Sequence, residues 1–313
     1  MLISFAEVSE KNNYVKPEVN DSDRIVIEKG RHPVIERTIR DGVFVSNDTY
    51  LNKDDSSMLL ITGPNMSGKS TYMRQTALIV LMAQAGCFVP CESAEIGVCD
   101  RIFTRIGASD NLAQGQSTFF VEMSELAYIL NTATSRSLVI LDEIGRGTST
   151  YDGLSIAWAA AEYLAKENRK IRSLFATHYH EMTELENTLS GVRNLNVDVA
   201  EDGGNVVFLH KIVPGSASRS YGIHVAKIAG VTSELLVNAQ QRLDILESGA
   251  SASAVSSDIS ETENKSVNEN IDQEYQISLF DFAPNPVVQR LKEVDLMNTT
   301  PSQALAILEE LKE

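Results

Sequence analysis

MLLITGPNMSGKSTYMRQTALIVLMAQAG, residues 58–86, decides how the rest of the chain is read. Five apolar or small residues make a short strand, and the stretch GPNMSGKST (63–71) that follows fits G-x-x-x-x-G-K-[ST] over its first eight residues. A helical run from Ser70 to about Ala85 comes next, closed by Gly86. A strand, a glycine-bounded loop and a helix in that order form the setting in which a loop cradles phosphate. Gly63 and Gly68 allow the backbone N–H groups to curl around an anion, and the helix N-terminus adds a favourable dipole. Lys69 is placed to reach the β- and γ-phosphates of a nucleotide, and the Ser70 hydroxyl to ligate Mg²⁺. The ordinary alternative is a glycine-rich strand-to-helix turn without a ligand, and the surrounding pattern argues against it.

Outward from the loop, residues 58–247 alternate between strand and helix. RIFTRI (101–106), SLVILDE (137–143) and SLFATH (173–178) read as buried strands. VEMSELAYILNTA (121–133) and GLSIAWAAAEYLAKEN (153–168) carry helical spacing. This alternation predicts an α/β P-loop NTPase fold with a mostly parallel sheet flanked by helices. VRNLNVDVA and NVVFLHKIV, separated by Asp202-Gly203-Gly204, read as a β-hairpin. Residues 221–247 read as two helices split by Gly230, the second capped by Thr232 or Ser233. That second helix carries Arg242 and no lysine, so an oligomer contact is favoured over reading a DNA groove.

LVILDE (138–143) supplies the second half of a hydrolytic site. Asp142 emerges at the end of a buried strand, placed to hold Mg²⁺, and Glu143 to polarise an attacking water as general base. Alone, two acids at a strand end are commonplace; beside a phosphate loop on a parallel sheet they gain a role. His178 ends SLFATH, where a histidine either contacts the γ-phosphate and attacking water or serves structure. Ser117 and Thr118 precede a helix, and the default reading of Ser117 is an N-cap.

Composition limits the remaining possibilities. The 313 residues carry a formal charge of −16, the opposite of the basic surface that whole-face DNA binding requires. Mean hydropathy is −0.11. No apolar run reaches the roughly 18 residues of a membrane span, and no signal peptide is evident, which predicts a soluble, cytoplasmic protein. Cys87, Cys91 and Cys99 lack nearby histidines and read as free thiols rather than a zinc site. Residues 248–275 turn to Ser, Glu, Asn and Asp and read as a disordered linker. The segment after it ends in a capped helix whose Leu305, Leu308 and Leu311 form one apolar face.

These residues carry a resemblance. GPNMSGKSTYMRQTALIVLMAQAG, DRIFTRIGASDNLAQGQSTFFVEMSE, LVILDEIGRGTSTYDGLS and FATHYHE resemble the ATPase domain of the MutS family of bacterial mismatch-repair proteins, and the likeness runs almost end to end. It implies an ABC-like ATPase, with two composite ATP sites at the interface of a homodimer. The whole loop Gly63, Pro64, Asn65, Met66, Ser67, Gly68, Lys69, Ser70 and Thr71 then binds ATP with Mg²⁺. Ser117 becomes the signature serine that touches the γ-phosphate of the opposite subunit, and His178 the switch histidine. Phe44 and His210 fall where the family stacks adenine.

By the same resemblance, residues 1–17 end the lever region, 18–215 form the ATPase domain and 216–247 the helix-turn-helix dimerisation element. QISLF (276–280) resembles a sliding-clamp docking motif through Gln276, Leu279 and Phe280, and 285–313 resembles a helical segment that joins dimers into tetramers. The family's mismatch-reading domain has no counterpart here, so DNA contact is expected through domains this chain lacks. A MutL-type partner and a nucleoid-associated bacterial setting are implied too. Two rival readings stay open: another ABC-like DNA-repair ATPase, which predicts coiled-coil heptads not found here, or mainly a clamp-docking and oligomerisation module.

Overall fold

The computed structural model describes residues 2–39, 42–64, 67–107, 117–202, 205–216 and 221–255. The elements run α1 (Leu2–Lys11), β1 (Glu18–Asn20), β2 (Ile25–Gly30), α2 (Ile35–Thr38), β3 (Asn47–Leu51), β4 (Met58–Thr62), α3 (Lys69–Gln84), β5 (Ser93–Gly97) and β6 (Ile102–Arg105). Then come α4 (Thr118–Thr132), β7 (Leu138–Asp142), α5 (Thr150–Ala165), β8 (Arg172–Ala176), a 3-10 turn (His180–Glu184) and α6 (Leu185–Thr188). The last are β9 (Val192–Asp202), β10 (Asn205–Pro214), α7 (Gly222–Ile228) and α8 (Ser233–Val255).

Six strands form the main sheet in the order β10-β9-β4-β8-β7-β6. All neighbours are parallel except the β9–β10 hairpin at one edge. A parallel sheet is covered on both faces, and β4 and β7 are accordingly apolar at nearly every position, while every residue of β8 is buried, Arg172 and Ser173 included. The side-chain period of two divides them cleanly. Leu59, Ile61, Leu138, Ile140, Leu174 and Ala176 share a core with Tyr72, Met73, Ile79 and Val80 of α3. Met58, Leu60, Val139, Leu141 and Phe175 pack instead with Leu126 and Ile129 of α4 and Ala157, Ala161 and Leu164 of α5. The carboxyl ends of β4, β7 and β8 therefore open on one edge of the sheet, where open α/β sheets bind ligands.

A second sheet, β1-β5-β2-β3, was not evident from the sequence. Its strands are short and half exposed, and β5 enters between β1 and β2 from more than sixty residues downstream. Ile25, Ile27, Leu51 and Ile96 cover the α3 side of the core. Cys91 and Cys99 are buried in that same core, and Cys87 is half-buried.

Element ends differ from expectation in three places. α4 starts at Thr118 rather than near Val121. α5 is displaced toward its start because Ser149, not a residue nearer Gly153, caps it by accepting from the Asp152 N–H. α8 continues to Val255, so the first eight residues of the expected 248–275 linker are helical. Each residue added to an existing helix gains a hydrogen bond, and Ala250, Ala252 and Ala254 favour the conformation. The remaining linker, the 276–280 motif and the 285–313 segment lie outside the described residues, as do Asn65 and Met66. Among the described residues no helix is long and apolar enough to cross a membrane.

Candidate functional site

The loop between β4 and α3 depends on its two glycines. Gly63 (φ +133°) and Gly68 (φ +109°) occupy conformations that side chains rarely adopt. Within the curl, Ser67 Oγ donates to the Pro64 carbonyl at 2.7 Å. Lys69 is 4% exposed, and its ammonium donates to the carbonyls of Gly63 at 2.5 Å and Pro64 at 2.9 Å. Burial pushes its pKa down, against the opposing fields of Glu143 and Asp142. The N-cap of α3 is Gly68, which offers no capping side chain to the first-turn N–H groups, and such a helix start favours an anion.

β7 brings the carboxylates to the same edge. Ser70 Oγ donates to Asp142 Oδ2 at 2.6 Å. Burial raises the Asp142 pKa above the usual carboxylate range, the hydrogen bond from Ser70 opposes that, and the Glu143 charge adds to it. Glu143 has φ +53°, an uncommon conformation for a non-glycine residue that costs about 1–3 kcal/mol. Its N–H is held by the Ala176 carbonyl at 2.9 Å, and its carboxylate pairs with Arg146 at 2.5 Å. His178, past the end of β8, is exposed; desolvation holds its pKa below the ordinary value while Glu143 pulls upward. Its ring lies 4.1 Å from that of Tyr179, centroid to centroid.

A cleft of about 310 Å³ opens beside the loop, lined by Phe44, Gly68, Lys69, Ser70, Thr71 and His210 among others. Phe44 and His210 are 166 positions apart, yet they share one wall system. A bulge in β10 between Phe208 and Ile212 brings this about. His210 sits in it at φ +54°, and its Nδ1 lies 2.8 Å from the Ser67 carbonyl. Asn47, buried on β3, fixes the bulge from both sides: its Nδ2 donates to the His210 carbonyl (3.0 Å) and its Oδ1 accepts the Ile212 N–H (2.8 Å). Bulges near functional sites commonly re-aim a side chain in this way.

Ser117 occupies the N-cap position of α4, but its side chain makes no capping bond and is exposed. Its hydroxyl is not used as the default capping reading requires.

Asn47, Arg146, Tyr179 and Glu122 were missed by sequence reasoning. For Glu122 a signal existed. The buried residues of α4 are Glu122, Leu126 and Ile129, so a carboxylate lies on the helix's apolar stripe.

A mostly parallel sheet with these strand-end loops fits an α/β domain of the ATPase type. The family model described as MutS domain V matches residues 59–247. The chain belongs to the MutS family of DNA mismatch-repair proteins. It is 53% identical over all 313 residues to DNA mismatch repair protein MutS of Alkaliphilus oremlandii, covering 36% of that relative. It is 52% identical to the protein of the same name from Caldicellulosiruptor bescii, over 100% of this chain and 36% of the relative. The Methanococcoides burtonii protein is also 52% identical, over 99% of this chain and 35% of its own length. The chain thus spans about 36% of the curated relatives it matches.

Proposed function

We propose that this chain is the ATP-binding and hydrolysing core of a MutS-type protein, working with Mg²⁺ at a dimer interface. The observation that carries the reading is the 2.6 Å contact between Ser70 Oγ and Asp142 beside the buried Lys69 ammonium. Two hard oxygens next to a phosphate-shaped loop suit a Mg²⁺ that keeps most of its other ligands as water and phosphate. Ser70 and Asp142 would hold that ion, and when bound it neutralises phosphate charge.

The chain's own groups do the rest. Lys69 leaves the loop carbonyls for the β- and γ-phosphates, joined by backbone N–H groups of the loop other than at Pro64. Phe44 and His210 enclose the adenine in the cleft. Glu143, released from Arg146, accepts a proton from water as its oxygen attacks the γ-phosphorus and ADP departs with the bridging electrons. His178 orients that water or the γ-phosphate, with its low pKa favouring a neutral ring. Ser117 completes the site of a partner copy, a reading supported by its exposed hydroxyl.

Association fits the surface of the helix pair, where Ile228, Leu235, Val237, Ile245 and Leu246 are all exposed. ATP is proposed to close the dimer and change the state of DNA-gripping domains outside this chain. Gln276, Leu279 and Phe280 are proposed to dock a sliding clamp, 285–313 to join dimers, and a MutL-type protein to be the downstream partner.

The test is ATPase rate against protein concentration for wild type and Ser117→Ala, with mass followed by light scattering. Specific activity should rise with dimer formation, and Ser117→Ala should suppress it. Flat activity per chain with a dispensable Ser117 would refute the shared site.

A further inference from the structure

Gly145, two residues past Glu143, is gripped from both sides. Its N–H donates to Glu122 Oε1 at 2.6 Å, and its carbonyl accepts the Tyr179 hydroxyl at 3.2 Å. It has φ +89°, and a Cβ there would come within 2.4 Å of the Gly153 carbonyl oxygen. The loop after Glu143 therefore has little freedom except through these two bonds. Glu122 is 6% exposed and lies on α4, the helix that begins immediately after Ser117. The Arg105 guanidinium backs it, 3.6 Å from its other carboxylate oxygen and 2.9 Å from Glu125. A carboxylate paired with a guanidinium makes a stronger hydrogen bond to an amide than a neutral acceptor does. A charge this deep is costly when its role is packing alone, where an apolar residue of similar volume serves as well.

We propose that Glu122 is a positioning residue: through Gly145 it sets the Glu143 backbone from α4, so displacement of the Ser117 end is felt at the base. Tyr179 extends the same constraint to His178, whose ring it abuts. Engagement of Ser117 in one nucleotide site thereby reaches the hydrolytic carboxylate of another. The inference rests on the ATP-hydrolysis reading above.

The experiment compares steady-state ATP hydrolysis by the whole chain for wild type, Glu122→Gln, Glu122→Met, Glu143→Gln and the Glu122→Met/Glu143→Gln double variant. Gln keeps the acceptor; Met keeps the volume without it. Displacing a catalytic group by about 1 Å costs roughly 100-fold. Glu122→Met is expected to lower kcat on that order, with ATP KM within about threefold, and Glu122→Gln to recover most of it. In the Glu143→Gln background the Met change should add nothing, because both act through one group. Multiplicative losses, or a loss carried by KM, overturn the proposal. A wild type without ATP hydrolysis sinks the parent reading instead. Hydrogen exchange at the Gly145 amide then decides positioning: faster in Glu122→Met and unchanged in Glu122→Gln supports it, equal rates reject it.

Discussion

The Ser70 hydroxyl lies 2.6 Å from the Asp142 carboxylate, joining the start of α3 to the end of β7 across 72 residues of sequence. In the open sheet that hydrogen bond ties the helix that follows β4 to the carboxyl end of β7. The two oxygens proposed to hold Mg²⁺ are therefore neighbours within the fold itself. Ser70→Ala and Asp142→Ala are each expected to reduce Mg²⁺-dependent ATP hydrolysis by roughly 100-fold, the scale of lost metal-assisted charge stabilisation. The double variant should be no worse than the poorer single one. Additive losses in a kinetic cycle would show that the pair does not act as a unit.

Glu143→Gln should bind ATP and turn it over about 10²–10⁴-fold more slowly, the range for losing a general base. Single-turnover kinetics with labelled ATP checks this, and near-normal turnover removes Glu143 from the role. Arg146, 61% exposed in its pair with Glu143, should change stability by less than about 1 kcal/mol when replaced by Ala.

Asn47 fixes the bulge that carries His210. Asn47→Leu removes both bonds and leaves the Ile212 N–H unpaired, a cost of about 1–3 kcal/mol. Nucleotide binding in the cleft should weaken about tenfold, equivalent to about 1.4 kcal/mol, with kcat at saturation little altered. Calorimetric titration with a slowly hydrolysed ATP analogue measures it. An unchanged affinity would mean the bulge keeps its shape without the amide.

Burial raises the Cys91 thiol from 9.0 to about 11, with Glu28 adding and Arg31 opposing. Between these values the unfolded chain has released the proton and the folded chain retains it, so stability falls as pH rises. The contribution is complete below pH 9.0 and gone beyond about 11. Tyr14, raised to about 12 by burial and by Glu36, acts in the same direction at slightly higher pH. Thermal midpoints should therefore drop over this alkaline window, and less steeply in Cys91→Ala. Parallel curves for the two proteins would assign the loss elsewhere.

Much of the fold could be read from the chain because its signals are local. The apolar runs at 58–61 and 138–141 are long enough to be strands and too uniformly apolar to be anything but central ones, and 174–176 continues the pattern after Arg172 and Ser173. Gly86 ends α3 where expected, its N–H bonded to the Ala83 carbonyl at 3.0 Å. The small sheet escaped notice because its strands are three to six residues long and half polar, so only their pairing makes them strands. The helical extension to Val255 escaped because Ser- and Ala-rich composition resembles a linker until a preceding helix supplies the nucleus.

At the site, the sequence by itself determined which groups are available: two glycines, an ammonium, a hydroxyl and two carboxylates, each at the end of a strand or the start of a helix. Backbone preference and side-chain period act over a few residues, and that range suffices to order them. Only the tertiary arrangement makes Asn47 hold the His210 bulge across 163 residues and Glu122 reach Gly145 across 23. Those contacts depend on how strands are ordered and how helices lie on the sheet. That order is set by burying both faces of β4, β7 and β8 at once, a condition on the whole chain rather than on any segment of it.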